Sequence, residues 1–66
     1  MIRLQLNGRE RETASPDLAP LLAELDLHPT RVAVERNGEI VPRDRYAATP
    51  LAEGDRVEIV QFVGGG

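Results

Sequence analysis

The chain has 66 residues, 41% apolar and 29% charged, with a formal net charge of −3, one histidine and no cysteine. This composition specifies a single globular domain that buries only about 60% of its unfolded surface; it excludes disulfides, thiolate metal sites and cysteine nucleophiles, leaves too few ligands for a transition metal, and argues against nucleic acid as a partner. No run approaches the ~20 apolar residues of a membrane span, and the opening MIRLQLNG lacks the apolar core of a signal peptide, so a cytoplasmic protein without membrane attachment is expected.

Met1–Leu6 alternates, with Ile2, Leu4 and Leu6 on one face and Arg3 and Gln5 on the other, which is the period of a half-buried strand. Asn7-Gly8 follows and predicts a hairpin whose two central residues both take positive φ. The return strand, Arg9–Thr13, is charged, as an exposed edge would be. Asp17 is the expected N-cap of a helix, with Ser15 the other candidate. A start after Asp17 puts Pro20 at the third helical position, where its missing N–H removes no intrahelical bond. Leu18, Leu21, Leu22 and Leu25 recur at helical spacing and form one apolar stripe. His28-Pro29 is expected to end the helix, because a residue before proline avoids the α region.

Arg31–Arg36 alternates again, with Val32 and Val34 on one face. Asn37-Gly38 repeats the hairpin signal, and Ile40-Val41 forms a short partner strand stopped by Pro42. Arg43–Pro50 is a connection, with one helical turn expected around Tyr46 and Leu51 expected to plug the core. Glu53-Gly54-Asp55 reads as a turn, and Arg56–Val63 as the last and longest strand. The order ββαβββ with one helix implies an α+β fold: a mixed sheet of about five strands packed on one main helix, with the last strand central and parallel to the first. Residues 1–63 are expected to form one domain, and residues 64–66 a flexible glycine tail.

The last strand carries the functional signal. If Val57 and Ile59 face the helix, Glu58, Val60 and Phe62 face solvent. Glu58 suits that position; Val60 and Phe62 do so only as a docking surface, unless Phe62 simply shields the end of the sheet. Gly8, Gly38 and Gly54 fall in turns, where positive φ accounts for them. Gly64, Gly65 and Gly66 have no such explanation. A phosphate-cradling glycine loop would precede a helix. A glycine tail can instead thread a narrow channel and present the α-carboxylate, ionised with a pKa of about 3.3–3.7. The standard activation of a carboxylate is attack on the α-phosphate of MgATP. This chain has no residues to bind ATP, so a partner enzyme must supply them and no cofactor of its own is expected. The plain alternative is an inert, fraying terminus.

No catalytic set competes with this reading. His28 lacks a partner acid and stands before Pro29, and Ser15 has no identifiable base. Glu10, Glu12, Glu24 and Asp26 read as solvated charges, and Asp44 and Arg45 as surface loop residues. All eight basic residues are arginine. With no lysine, only the N-terminal amine could accept an acyl group.

The strand order, Val60-Gln61-Phe62-Val63 and the glycines after it resemble the ubiquitin-like β-grasp sulfur carriers. VAVERNGEIVPR (Val32–Arg43), the following Tyr46, and LAEGDRVEIVQFVGGG (Leu51–Gly66) are similar to the ThiS family of thiamin biosynthesis over essentially the whole chain. The resemblance implies a protein co-substrate, monomeric when alone, and not an enzyme. Gly66 would be adenylylated by an E1-like enzyme, ThiF, using MgATP. A persulfide sulfur donor would convert it to a thiocarboxylate, and thiazole synthase, ThiG, would accept the sulfur. Gly64 and Gly65 would enter the partners' active sites, and Val60 and Phe62 would help dock them. Three alternatives stay open: a sulfur carrier for tRNA thiolation or molybdopterin, a ubiquitin-like modifier joined to lysines of other proteins, and a β-grasp binding module with an inert tail.

Overall fold

The computed structural model describes residues 1–63. Both Asn-Gly pairs take the expected positive φ, 51° and 82° at Asn7 and Gly8 and 53° and 85° at Asn37 and Gly38. The first pair joins strands β1 (Ile2–Leu6) and β2 (Arg9–Thr13); the second joins β3 (Val32–Arg36) and β4 (Glu39–Val41). Each is an antiparallel hairpin. Strand β5 (Arg56–Gln61) lies between the hairpins, parallel to β1 and antiparallel to β3, so the sheet order is β2-β1-β5-β3-β4.

The one α-helix among the described residues, α1 (Leu18–Glu24), covers one face of this sheet. Its stripe of Leu18, Leu21 and Leu22 is buried against Leu4, Val32, Val34, Val57 and Ile59, which project from the inner faces of β1, β3 and β5. This is the α+β, ubiquitin-like β-grasp arrangement: period-two strands supply one half of the core and a period-3.6 helix supplies the other.

The helix begins as predicted. Asp17 is the N-cap, and its Oδ1 accepts from the Ala19 N–H at 3.0 Å. It ends earlier than predicted, at Glu24, not at His28-Pro29. Asp26 takes φ of 60°, the Leu27 N–H donates to the Leu22 carbonyl at 2.9 Å, and the Asp26 N–H donates to the Ala23 carbonyl at 3.0 Å. These are the two bonds of a Schellman motif, with aspartate in the left-handed position usually held by glycine. His28-Pro29 instead opens a separate 3-10 turn, Pro29–Arg31, in which His28 Nδ1 accepts from the Thr30 N–H at 3.2 Å.

Two further expectations are corrected. Tyr46, which follows a 3-10 turn at Arg43–Arg45, is itself a core residue, whereas Leu51 is only half-buried at the margin. Leu51 acts through its backbone: its N–H donates to the Pro16 carbonyl at 3.0 Å, and with the Leu18 N–H bonded to Thr49 it ties the connection to the helix start. The last strand ends at Gln61, two residues short of Val63.

Candidate functional site

Strand β5 runs through the centre of the sheet and carries the chain toward Gly64. It alternates from Arg56 to Val60: Val57 and Ile59 are buried, while Glu58 and Val60 are exposed. Val60 is 63% exposed, Phe62 56% and Val63 93%. Phe62 lies beyond the last strand residue, yet its N–H donates to the Arg31 carbonyl at 2.8 Å, so its backbone stays attached to the segment leading into β3. Its ring borders a shallow groove shared with Pro29, Val32, Val41 and Tyr46. The structure thus puts Val60 on the outer sheet face and Phe62 at the sheet end. Gly64, Gly65 and Gly66, to which the tail and sulfur-carrying expectations attach, lie outside the described residues.

Side chains not singled out from the sequence hold β5 in place. The Asn7 amide closes two bonds with the backbone of Ile59: Nδ2 donates to its carbonyl at 3.1 Å, and Oδ1 accepts from its N–H at 2.8 Å. The β1–β5 ladder pairs only Gln5 with Arg56 and Leu6 with Val57, so Asn7 adds a side-chain rung where β1 has turned away. Asn37 makes a similar clip at the start of the strand, accepting from the Arg56 N–H at 2.9 Å and donating to Asp55 Oδ1 at 3.0 Å. Each hairpin asparagine therefore both permits its turn and clips it to β5. An Asn-Gly pair signals the first role only, because the second depends on a strand distant in sequence.

Asp55 is the one buried carboxylate among the described residues, 7% exposed. Burial alone would raise its pKa. Hydrogen bonds from Asn37, from the Ala52 N–H and from Arg36, whose Nε lies 2.9 Å from Oδ2, outweigh that and hold it below the ordinary carboxylate value. A carboxylate with a lowered folded-state pKa contributes stability above its unfolded value that is lost as pH falls through the folded one. Urea midpoints measured as pH falls below about 4 should therefore drop in the wild type, and that acid-dependent part of the drop should shrink in Asp55→Asn. Equal acid slopes in the two proteins would refute this.

Of the residues considered for catalysis, Glu24, Ser15, Asp26 and His28 have structural roles. Glu24 is not simply solvated: it accepts from Thr13 Oγ1 at 2.7 Å, Arg11 at 2.8 Å and Ser15 Oγ at 3.0 Å, bracing β2 against the helix end. The Thr13 and Arg11 bonds lower its pKa. Ser15 is part of this brace and not a helix cap, and Asp26 belongs to the helix stop. Among the described residues no group of histidine, aspartate or glutamate is arranged to hold a metal ion, and no helix is long and apolar enough to cross a membrane.

Comparison with known proteins assigns this framework to a family. The ThiS family model matches residues 4–66. The sulfur carrier protein ThiS of Bacillus subtilis is 43% identical over 67 residues, covering 96% of this chain and 98% of its own. A crystal structure of the thiamine biosynthesis protein ThiS from Geobacter metallireducens superposes with a TM-score of 0.82 at 33% identity, over 98% of this chain and 100% of that one. A thiazole synthase of Paramagnetospirillum magneticum contains a segment 48% identical over 66 residues, and this chain spans only 20% of that protein's length. A thiazole synthase of Magnetococcus marinus is likewise matched over 20% of its length, at 42% identity. The chain belongs to the ThiS family, the sulfur carriers of thiamin biosynthesis.

Proposed function

We propose that this chain is a protein co-substrate that carries sulfur on the carboxyl group of Gly66. An E1-like adenylyltransferase of the ThiF type binds MgATP, and a Gly66 carboxylate oxygen attacks the α-phosphorus, releasing pyrophosphate. The sulfur of a cysteine-derived persulfide then attacks the acyl carbon, and AMP leaves with the electron pair of the acyl–oxygen bond. A thiol cleaves the resulting sulfur–sulfur bond and leaves the thiocarboxylate. Thiazole synthase accepts that sulfur as the thiazole ring is built. On this reading Gly64 and Gly65 enter the partners' active sites, and Val60 and Phe62 meet the partner surface outside.

The observation that carries the reading is the family match over residues 4–66, which includes the three glycines that follow Val63. Proteins called thiazole synthase that contain a segment like this chain support thiazole synthase as the acceptor. The chemistry suits a chain without cysteine, because the sulfur rides on a carboxyl group and needs no thiol here.

The test is the intact mass of the protein after incubation with MgATP, its host's E1-like enzyme, a persulfide donor and a thiol. The expected result is a mass gain equal to exchanging one oxygen for sulfur, located at Gly66 by fragmentation. An unchanged mass, with an enzyme shown to be active on another carrier, overturns the proposal.

A further inference from the structure

The sheet face opposite the helix carries an arrangement that the isolated protein does not explain. In the pairing of β3 with β5, Glu35 stands directly opposite Glu58. Both alternate with buried neighbours, so both project outward, and both are exposed. Directly opposed residues bring their Cβ atoms to about 5 Å, and like charges at such a site destabilise a sheet. The ion pairs among the described residues are Arg3–Glu10, Arg11–Glu24 and Arg36–Asp55, so neither glutamate is neutralised. Arg56, two residues before Glu58 on the same face, forms none of these pairs.

Beside the two carboxylates the face turns apolar. Val60 is the cross-strand partner of Ala33, and Ile40 is the partner of Glu35. Val60 is 63% exposed and Ile40 76%. Glu35, Glu58, Ala33, Ile40, Val60 and Asn7 border one shallow groove of about 420 Å³. A groove with an apolar floor and two unneutralised carboxylates complements a surface that presents a cation among apolar groups. A second copy of this chain, with a net charge of −3, supplies the wrong overall sign.

We propose that this groove receives an arginine or lysine side chain of the activating enzyme, its charge between Glu35 and Glu58 and its aliphatic stem against Val60, Ala33 and Ile40. The occupant is set by reach, and here the inference rests on the proposed function. Three residues separate Val63 from the carboxylate that must react, a span of at most about 10 Å. An enzyme holding Gly66 in its active site therefore lies over the end of β5, and its surface continues onto this face. The glutamates give up some stability of the free carrier and return it as selectivity, since opposed charges reward a cationic partner and repel an acidic one.

The test is the affinity of the full-length chain for the activating enzyme, by calorimetry without ATP at two salt concentrations. Glu35→Gln/Glu58→Gln should bind about tenfold more weakly than wild type, with a smaller loss of affinity at high salt, while its melting temperature stays equal or rises. Affinity within about twofold of wild type, or an unchanged salt dependence, overturns the proposal. Failure of the wild type to bind overturns it as well. So does loss in the double variant of a self-association present in the wild type, which would make a second copy the occupant. Sulfur exchange measured on the same wild-type preparation separates the two ideas: normal binding and salt dependence without exchange defeats the proposed function and leaves the groove assignment standing.

Discussion

Removal of Gly65 and Gly66 should abolish the proposed sulfur exchange and leave the thermal midpoint of the domain unchanged. The two halves of this expected result have separate physical origins. The buried cluster runs from Leu4 to Ile59, and no core residue follows Ile59 in the described chain. Glycine has no side chain to pack, so deleting two of them takes nothing from that core. On the proposed function the reacting group is the carboxylate of Gly66, which must reach from the carrier's surface into the enzyme's active site. The truncation moves it to Gly64 and shortens the reach by about 7 Å, far more than the ångström-scale tolerance of a reacting pair. The measurement pairs a thermal melt with the intact mass after incubation with the activating system. Normal exchange by the truncated chain would place the chemistry elsewhere. A collapsed melting temperature would give the glycines a structural role.

The second large effect is on stability. Tyr46→Ala should cost about 3–5 kcal/mol, the usual range for emptying a buried aromatic site. A 66-residue domain at roughly 0.05–0.15 kcal/mol per residue has only about 3–10 kcal/mol in total, so this variant sits at or near the unfolding threshold. Tyr46 is 5% exposed and packs within the single buried cluster, with its hydroxyl aimed at the Val32 carbonyl at 3.4 Å. That contact is long for an O–H donor, so Tyr46→Phe should cost less than about 1 kcal/mol. Leu51→Ala should cost less than Tyr46→Ala because Leu51 is already partly in water. Urea unfolding of the three variants checks the order. A Leu51→Ala cost exceeding that of Tyr46→Ala would restore Leu51 as the core plug and refute the assignment.

Most of the architecture was legible because the relevant information is local. The alternation of Ile2, Leu4 and Leu6, of Val32 and Val34, and of Val57 and Ile59 follows from the period of an extended chain and assigns the inward faces correctly. The Asn-Gly pairs announced both hairpins through the positive φ they tolerate. The helix stop was missed because it carries Asp26, not glycine, at the left-handed position. Asp26 is held there by backbone bonds to the turn before it, and composition does not advertise them. Asp55 read as a turn residue, and only the approach of Arg36 and Asn37 across the sheet makes it a buried anchor.

The sequence by itself determined the strand faces, the turns, the helix start and the family resemblance around Val32–Arg43 and Leu51–Gly66, all properties of neighbouring residues. The tertiary structure decided the register between distant strands, and with that the amide clips of Asn7 and Asn37 on β5, the burial of Tyr46 and the opposition of Glu35 to Glu58. Those depend on which distant segment arrives beside each residue. That choice is made by closing one apolar core around a single helix, and no local period encodes it.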